Sequence, residues 1–281
     1  MRLVHSIAEM RALSRAARSS GARLGLVPTM GALHEGHLSL VRAAREKSDL
    51  VAASIFVNPT QFGPNEDFAK YPRTMEGDCA LLEREGVQLV FAPSIEEMYP
   101  QGAVTWVVVE GLSDRLCGKS RPGHFRGVTT VVAKLFHIVE PDVAFFGQKD
   151  AAQVAIIQRM VRDLNMPVKI EVCPIVREPD GLAISSRNAY LSAQERNSAL
   201  VLHRSLMRVQ KLFLGGERDS TKLITAAKQE FAAEPAVRLD YIKVVDPETL
   251  EPEPTVSQRA LVAVAALVGQ TRLIDNILLE L

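Results

Sequence analysis

Cysteine is scarce in this chain of 281 residues, and long apolar runs are absent. Its three cysteines, Cys79, Cys117 and Cys173, lie far apart and form no Cys-x-x-Cys pair. We therefore predict neither a disulfide framework nor a zinc ribbon, and the expected compartment is a reducing cytoplasm. The longest apolar run, residues 261–268, is too short to cross a bilayer. The N-terminus has no apolar run of signal-peptide length, so we expect no membrane partner.

An excess of charge of either sign is also missing. The 33 lysine and arginine residues equal the 33 aspartate and glutamate residues in number. Extended nucleic-acid binding usually leaves a basic excess, so no nucleic-acid partner is expected. The hydrophobic share of 47% and the charged share of 23% are typical of an ordinary globular protein. The length favours two modest domains over one large domain.

Apolar strand-like runs alternate with helical patterns from residue 22 to about residue 176. This alternation predicts an α/β fold, a Rossmann-like doubly wound parallel sheet with helices on both faces. Ligands of such sheets bind beyond the carboxyl ends of the strands. The predicted strands are residues 23–27, 50–57, 87–91, 143–146 and 170–176, and buried helices are predicted at 127–139 and 151–163.

The pattern changes after residue 190. Ser192 and Glu195 favour the start of a helix that runs to Gly215, and a second helix is predicted from about residue 220 to residue 231. Two strands are predicted at residues 239–245 and 261–268. We therefore predict a smaller C-terminal α+β domain, with the chain divided into residues 1–176 and 177–281.

The most informative motif is PTMGALHEGH, residues 28–37, between a predicted strand and a predicted helix. His34 and His37 lie at the helix N-terminus, where unpaired backbone N–H groups and the helix dipole favour anions. Because the two imidazoles are three residues apart, both can donate to one phosphate group. Gly31 and Gly36, which permit tight turns and close approach, favour this phosphate clamp. The alternatives are simple helix capping and a zinc site, but no companion cysteine or acidic pair supports zinc.

Two later motifs add cationic and hydroxyl side chains. Lys149, in FFGQKD at residues 145–150, follows a predicted strand and offers a point charge for a phosphate. Asp150 could cap the next helix or meet a ribose hydroxyl. The segment ISSRN at residues 184–188 supplies two hydroxyls and a guanidinium, which suit a triphosphate during transfer. A solvated turn or a polar loop is the alternative for each motif, but together with the histidine pair they resemble the adenylate-forming nucleotidylyltransferase superfamily.

A neutral segment supplies candidates for the acceptor site. Asn58 and Gln61 carry amides that can fix hydroxyl and carboxylate oxygens, and Phe62 can cover apolar substrate surface. This chemistry suits a small, branched, hydroxylated acid. Arg121 and His124 precede a predicted buried helix and complete the set. The alternatives are a plain turn at Asn58 and a helix-start cap at Arg121 and His124.

Six motifs in this order resemble those of the pantothenate synthetase family, which joins pantoate to β-alanine. They are PTMGALHEGH (28–37), FVNPTQFGPNEDF (56–68), YPRT (71–74), RPGHFRGV (121–128), FFGQKD (145–150) and ISSRN (184–188). The resemblance implies that ATP and pantoate give pantoyl adenylate and pyrophosphate, after which β-alanine attacks the acyl carbon and AMP leaves. It also implies a homodimer and Mg2+ bound to the phosphates.

The resemblance implies roles for matching residues. Residues 1–176 would bind the nucleotide and pantoate, and residues 177–281 would act as a lid. His37 and His34, with Lys149 and Arg187, would carry the catalysis. Gln61 and Gln153 would contact the small substrates, and the chemistry above adds Asn58, Phe62, Arg121 and His124 to that pantoate and β-alanine set. The implied ATP-binding residues are Met30, Gly31, Ala32, Leu33, His34, Glu35, Gly36, His37, Gly147, Gln148, Lys149, Asp150, Val176, Ile184, Ser185, Ser186 and Arg187.

The chain departs from the family pattern at two places. Leu116-Cys117-Gly118 replaces a segment that is often acidic in relatives, and Glu76-Gly77-Asp78 replaces a paired acidic run. The protein ligands of the metal are therefore unknown. Two alternative functions are a nucleotidylyltransferase for a phosphorylated acceptor and a nucleotide-sensing or tRNA-binding module without catalysis. The neutral segment at residues 58–63 disfavours the first alternative, and the balanced charge disfavours the second.

Overall fold

The computed structural model describes residues 1–64 and 66–281, which form two compact units. The first unit contains residues 1–114, 118–147 and 156–174, and the second contains 115–117, 148–155 and 175–281. The predicted division between residues 176 and 177 differs from these units, because residues 115–117 and 148–155 group with the C-terminal residues. Asn65, within the second family motif, lies outside the described residues.

A six-stranded parallel sheet forms the centre of the first unit, in the order β1-β4-β3-β2-β5-β6. The strand order reverses at β2, which pairs with β3 on one side and β5 on the other. This arrangement confirms the predicted Rossmann-like α/β fold and places a topological switch point beside β2. The strands are β1 (Arg2–Val4), β2 (Leu24–Thr29), β3 (Leu50–Ile55), β4 (Leu89–Phe91), β5 (Val143–Gly147) and β6 (Lys169–Cys173).

Helices connect these strands. The buried helix that was predicted from residue 127 begins earlier, at His124, and is apolar on nearly all sides because it is almost fully enclosed. At the first helix, Ser6 Oγ accepts the Glu9 N–H at 3.2 Å, while the Glu9 carboxylate pairs with Arg2. The helices are α1 (Ile7–Ser19), α2 (Glu35–Lys47), α3 (Met75–Arg84), α4 (Ile95–Met98), α5 (Cys117–Ser120), α6 (His124–Val139) and α7 (Ala151–Asp163).

The second unit contains two helices and a three-stranded antiparallel sheet in the order β7-β8-β9. The predicted smaller α+β domain is therefore confirmed. Ser192 and Glu195 form the expected capping box at the start of α8. Leu202 and Leu206 of α8 pack in one apolar core with Val262 and Val264 of the sheet. The elements are α8 (Ala193–Leu214), α9 (Ser220–Ala232), β7 (Val237–Val245), β8 (Arg259–Val268) and β9 (Thr271–Glu280).

Five of the labelled helices and strands were not predicted: β1, α3, α4, α5 and β9. Helices α4 and α5 have only four residues each. β1 has only three residues and lies at the sheet edge. In α3, Gly77 in the first turn weakens the helical signal. In β9, buried Asp275 and Asn276 interrupt the apolar pattern. Within the described residues, no helix is long and apolar enough to span a bilayer.

Candidate functional site

The histidine motif lies in the loop between β2 and α2, at the carboxyl end of the parallel sheet. Gly31 and Ala32 both have left-handed backbone conformations, with φ of 82° and 51°. At Gly31 a Cβ atom would lie 2.9 Å from Asp78 Oδ2, so only glycine fits without a shift. The chain therefore makes a tight turn between the end of β2 and the start of α2. This turn lies at the switch point, where ligands of such sheets bind.

Asp78 holds this turn in place. Its side chain is 2% exposed, and its two oxygens accept the backbone N–H groups of Ala32 at 2.9 Å and Leu33 at 2.8 Å. The Thr74 hydroxyl donates a third hydrogen bond at 3.1 Å. A buried carboxylate needs such donors to offset the loss of water. The acidic residue that the sequence marked as a departure from a metal-binding run is thus a brace for the histidine loop.

The two histidines cap α2 through one nitrogen each. His34 Nδ1 accepts the Gly36 N–H at 3.2 Å, and His37 Nδ1 accepts the His34 N–H at 3.4 Å. Because both Nδ1 atoms accept, each neutral ring carries its proton on Nε2. The ring centroids lie 4.1 Å apart. Capping and phosphate binding are therefore compatible, since capping uses Nδ1 and phosphate binding would use the other ring nitrogen, Nε2.

Glu35 lies between the two histidines, and its carboxylate is engaged by another side chain of the first unit. The side chain forms an ion pair with Arg42, which also binds Glu85 at 2.6 Å. The hydrogen bond from Arg42 holds the pKa of the Glu35 carboxyl below its usual range. A contact of Glu35 with a nucleotide would thus use its backbone, as at Gly36.

Gln61 ends a 3-10 turn, Pro59–Gln61, that follows β3, and Asn58 caps the start of this turn. Asn58 is 1% exposed, and its Oδ1 accepts hydrogen bonds from the hydroxyls of Thr60 at 3.0 Å and Tyr99 at 2.9 Å. Asn58 Nδ2 donates to Gln61 Oε1 at 2.9 Å and to the Gly127 carbonyl at 3.1 Å. The Asn58 amide is therefore occupied within the protein. Its bond to Gln61 Oε1 fixes the orientation of the Gln61 amide, with Oε1 towards Asn58 and Nε2 at the other side.

Arg121 and His124 also brace the Gln61 segment. His124 Nδ1–H donates to the Gln61 carbonyl at 2.8 Å, and His124 Nε2 accepts from Arg121 at 2.9 Å. The Arg121 guanidinium binds both oxygens of Glu66 at 2.6 Å. Burial raises the pKa of Glu66, but the hydrogen bonds and charge of Arg121 outweigh it and hold the pKa below its usual range. The sequence did not indicate this partner for Arg121.

Phe62 lies in an aromatic cluster of the first unit. Its ring meets Phe68 edge-on with centroids 5.3 Å apart and Tyr71 with centroids 5.9 Å apart. Edge-to-face pairs of this kind fix ring orientation in addition to burying area. The cluster provides an apolar surface next to Gln61.

Lys149 lies in the second unit, in the 3-10 turn Gln148–Asp150 that precedes α7. Asn276 of β9 donates from Nδ2 to the carbonyls of Gln148 and Lys149, both at 3.0 Å. Gln148 Nε2 donates back to Asn276 Oδ1 at 3.1 Å. Within residues 1–64 and 66–281, the Lys149 ammonium forms no ion pair. Asp150 is exposed, and Gln153 is half-buried in α7.

The ISSRN segment, residues 184–188, directly follows an antiparallel bridge between Arg177 and Ala183 in the second unit. The Ile184 N–H donates to the Val176 carbonyl at 3.0 Å, which brings these two predicted ATP-binding residues together. Arg177 pairs with buried Asp275 at 2.6 and 2.9 Å. Ser185 then caps the 3-10 helix Ser186–Tyr190, because its Oγ accepts the Arg187 N–H at 3.3 Å. Ser186 and Arg187 lie in the first turn of that helix.

Comparisons with known proteins show the family of this chain. The family model described as Pantoate-beta-alanine ligase matches residues 2–278. The chain belongs to this family. A pantothenate synthetase of Acidobacterium capsulatum is 64% identical over 290 aligned positions, covering 99% of this chain and 97% of that protein.

Solved structures of the family have the same fold. The crystal structure of pantothenate synthetase from Thermus thermophilus superposes with a TM-score of 0.94 at 48% identity, covering 99% of both chains. The pantoate-beta-alanine ligase of Francisella tularensis, in complex with beta-gamma ATP and beta-alanine, superposes with a TM-score of 0.80 at 34% identity. That match covers 99% of this chain and 97% of the other.

At the departure from the family pattern, Cys117 belongs to the second unit. Its Sγ lies 3.1 Å from the Tyr241 hydroxyl and 3.6 Å from Arg272 Nη1. Arg272 is paired with Asp240 at 2.7 Å, so its charge is balanced without an acid at position 117. In the described part of the chain, no three His, Cys, Asp or Glu side chains converge as a metal site.

Sequence reasoning missed the residues that brace the site. Asp78, Asn276 and Tyr99 act on the predicted binding residues from remote positions, so no local motif includes them. The Glu76-Gly77-Asp78 segment differs from the acidic run of some relatives, but that difference does not indicate a bracing role for Asp78. In β9, the unusual Asp275-Asn276 pair within an apolar segment was the signal that could have marked a site.

Proposed function

We propose that this chain is an ATP-dependent ligase that condenses (R)-pantoate with β-alanine to give pantothenate, AMP and pyrophosphate through pantoyl adenylate. The observation that carries the proposal is the histidine pair at the N-terminus of α2. Both Nδ1 atoms accept backbone N–H groups at the helix start, and we propose that each ring donates from Nε2 to a phosphate oxygen. The choice of pantoate and β-alanine as substrates rests on the family model, which matches residues 2–278.

In the first step, a carboxylate oxygen of pantoate attacks the α-phosphorus of ATP, and the bond to pyrophosphate breaks. Pantoate is ionised at neutral pH and already nucleophilic, so this step needs charge stabilisation and alignment rather than a base. In the first unit, His34 and His37 would donate from Nε2 to phosphate oxygens. In the second unit, Lys149 and Arg187 would neutralise charge on the triphosphate, with Ser185 and Ser186 as hydroxyl donors.

In the second step, the β-alanine amine attacks the acyl carbon of the adenylate, AMP leaves, and the nitrogen loses a proton. Gln61 would hold pantoate through Nε2, because Asn58 occupies its Oε1. Gln153 would be a second pantoate contact. Arg121 and His124 would act by holding the Gln61 backbone, with direct substrate contact remaining a prediction. The predicted lid role of residues 177–281 also stays a prediction.

We further propose that Mg2+ accompanies ATP and is held mainly by phosphate oxygens and water. Mg2+ keeps much of its water and is often bound through substrate phosphates. The Asp78 carboxylate, which replaces part of an acidic run, already accepts three hydrogen bonds within the protein. That set of donors fits a bracing carboxylate better than a metal ligand.

The homodimer implied by the family resemblance has a candidate surface at residues 103–109. Val104, Trp106 and Val108 are 82%, 41% and 51% exposed and occupy every second position of a segment that is neither helix nor strand. The backbones of these three residues form no hydrogen bond with the described chain. The order Val-x-Trp-x-Val is symmetric about Trp106, which suits antiparallel pairing across a two-fold axis. Light scattering tests this, since Trp106→Glu should yield monomers.

Residence in the cytoplasm also remains a proposal. It is supported by the three cysteines, which are free thiols, and by the biosynthetic reaction proposed above. No nucleic-acid partner is proposed, because lysine and arginine are matched by acidic residues.

Mass spectrometry of a reaction with ATP, Mg2+, pantoate and β-alanine tests the proposed function. We expect pantothenate and AMP in equal amounts, and no pantothenate when either small substrate is omitted. Lys149→Ala should reduce product formation about 100-fold by removing a phosphate-binding charge. Lys243→Ala, at an exposed position on β7, is the matched control and should leave the rate unchanged. Product formation with a phosphorylated acceptor and not with pantoate would refute the proposal.

A further inference from the structure

β9 carries a buried side-chain amide, that of Asn276, which contacts the backbone of Gln148 and Lys149. Asn276 is 2% exposed, in the middle of a strand that is otherwise mostly apolar. A polar side chain at such a position is costly unless its hydrogen bonds are satisfied. All of the partners described for the Asn276 amide belong to the turn at Gln148 and Lys149.

The side-chain amide of Asn276 forms three hydrogen bonds with this turn. Its two N–H groups bind two consecutive carbonyls, those of Gln148 and Lys149, both at 3.0 Å. Its oxygen accepts the side-chain amide of Gln148 at 3.1 Å. Rotating the amide by half a turn would place oxygen against oxygen, so the network permits one orientation only.

The sheet does not need this amide for its own pairing. Asn276 pairs with Ala263 of β8 in the backbone ladder. This register is unbroken from the pair Arg259–Glu280 to the pair Val268–Thr271. The side-chain amide is thus an addition to a strand that other residues hold in place. Its bonds fix the backbone on both sides of the Lys149 Cα atom and so fix the direction in which the lysine stem leaves the turn.

We propose that Asn276 is a positioning residue that fixes Lys149 for binding the phosphates of ATP. This inference rests on the proposed phosphate role of Lys149. A lysine side chain is flexible, and fixing its backbone reduces the entropy lost when the ammonium binds. Aspartate at position 276 lacks both donors, alanine lacks the whole amide, and glutamine is longer by one methylene, so asparagine alone fits the network.

A double-mutant cycle on ATP binding tests this inference. Isothermal titration calorimetry would measure ATP affinity for the wild type, Asn276→Ala, Lys149→Ala and the double variant. We expect Asn276→Ala to weaken ATP binding about tenfold in the wild-type background, from the loss of one or two net hydrogen bonds. In the Lys149→Ala background the same change should weaken binding less than about twofold, because Asn276 acts through Lys149.

Two controls separate positioning from a loss of folding. Asn276→Asp keeps the size of the side chain and removes its donors, so it should reproduce the loss of affinity if the alanine variant unfolds. Leu279→Ala, at a buried position of the same strand, should lower the melting temperature without changing ATP affinity. Equal losses of ATP affinity from Asn276→Ala in both backgrounds would overturn the inference.

The failure of the proposed reaction would give a different result. If the wild type binds ATP with the predicted coupling but forms no pantothenate, the positioning role stands and the substrate assignment fails. If the wild type does not bind ATP, the role of Asn276 is overturned together with the role of Lys149.

Discussion

The carboxylate of Asp78 accepts the backbone N–H of Leu33 at 2.8 Å, although the two residues lie 45 positions apart in the chain. The same carboxylate accepts the Ala32 N–H at 2.9 Å. These bonds hold a left-handed turn immediately before the histidine that caps α2. The geometry of the proposed phosphate clamp therefore depends on α3, which carries Asp78.

Asp78→Asn should loosen this turn. The new amide nitrogen would face the Ala32 N–H, so that one hydrogen bond is lost and two donors meet. We expect the KM for ATP to rise about tenfold and the free energy of unfolding to fall by about 1–3 kcal/mol. Steady-state kinetics and denaturant unfolding measure the two effects.

Asp142→Asn is the matched control for Asp78. Asp142 accepts the Leu24 N–H at 2.8 Å at the opposite end of β2. Its substitution should lower stability and leave the KM for ATP unchanged. A similar rise in KM for both variants would show that destabilisation alone explains the effect and that Asp78 has no specific role.

The two nitrogens of His37 can be tested separately. Asparagine places an acceptor near the position of Nδ1, and glutamine places a donor near the position of Nε2. His37→Asn should keep the helix cap and slow adenylate formation about 100-fold, because it lacks the phosphate donor. His37→Gln should retain more of the rate and lose helix stability. Single-turnover quench measurements would contradict this account if the asparagine variant were the faster.

Gln61→Ala should affect pantoate more than ATP. The Gln61 amide is oriented by Asn58, and we propose that its Nε2 donates to pantoate. We expect the KM for pantoate to rise about tenfold and the KM for ATP to change less than about twofold. Gln88→Ala is the control, since that side chain accepts the Val51 N–H at 2.7 Å at the amino end of the sheet. Equal changes for both substrates would exclude the proposed contact.

His203 should make the stability of the second unit depend on pH. Burial and the nearby Arg177 guanidinium hold its pKa below the ordinary value of 6.5, and the carboxylates of Asp275 and Asp180 oppose this only in part. Below pH 6.5 the unfolded chain binds a proton that the folded chain does not. The free energy of unfolding should therefore be highest above pH 6.5 as far as His203 contributes to it. It should fall as the pH drops towards the lowered pKa of His203.

Denaturant unfolding between about pH 8 and about pH 5.5 measures this dependence. His203→Gln removes the titrating group, so its stability should change less over this range than that of the wild type. His137→Gln, at an exposed position of α6, should keep the wild-type slope. A slope that is unchanged in His203→Gln would assign the pH dependence to other groups.

Local patterns predicted the elements whose signals are local. The apolar run of β2, the glycines of the turn and the helical pattern after residue 37 predicted a strand, a turn and a helix in that order. They also placed His34 and His37 at the helix start. The capping box at Ser192 is a second example, since all of its contacts lie within four residues.

Contacts between remote residues could not be predicted in this way. The Asp78 bonds to the histidine loop, the pairing of Arg121 with Glu66 and the Asn276 contact with Lys149 join segments 45 to 127 residues apart. Each depends on the three-dimensional fold and not on sequence spacing. The buried polar residues of β9 also concealed that strand from a reading of apolar periodicity.

The exchange of labelled pyrophosphate into ATP, with Mg2+ and without β-alanine, tests the central claim most directly. The proposed mechanism predicts exchange that requires pantoate, since adenylate formation is reversible and precedes the amine. Pantoate should be the required acid in a panel that also contains amino acids and phosphorylated acceptors. Exchange that depends on another acceptor, or no exchange with pantoate, would contradict the account.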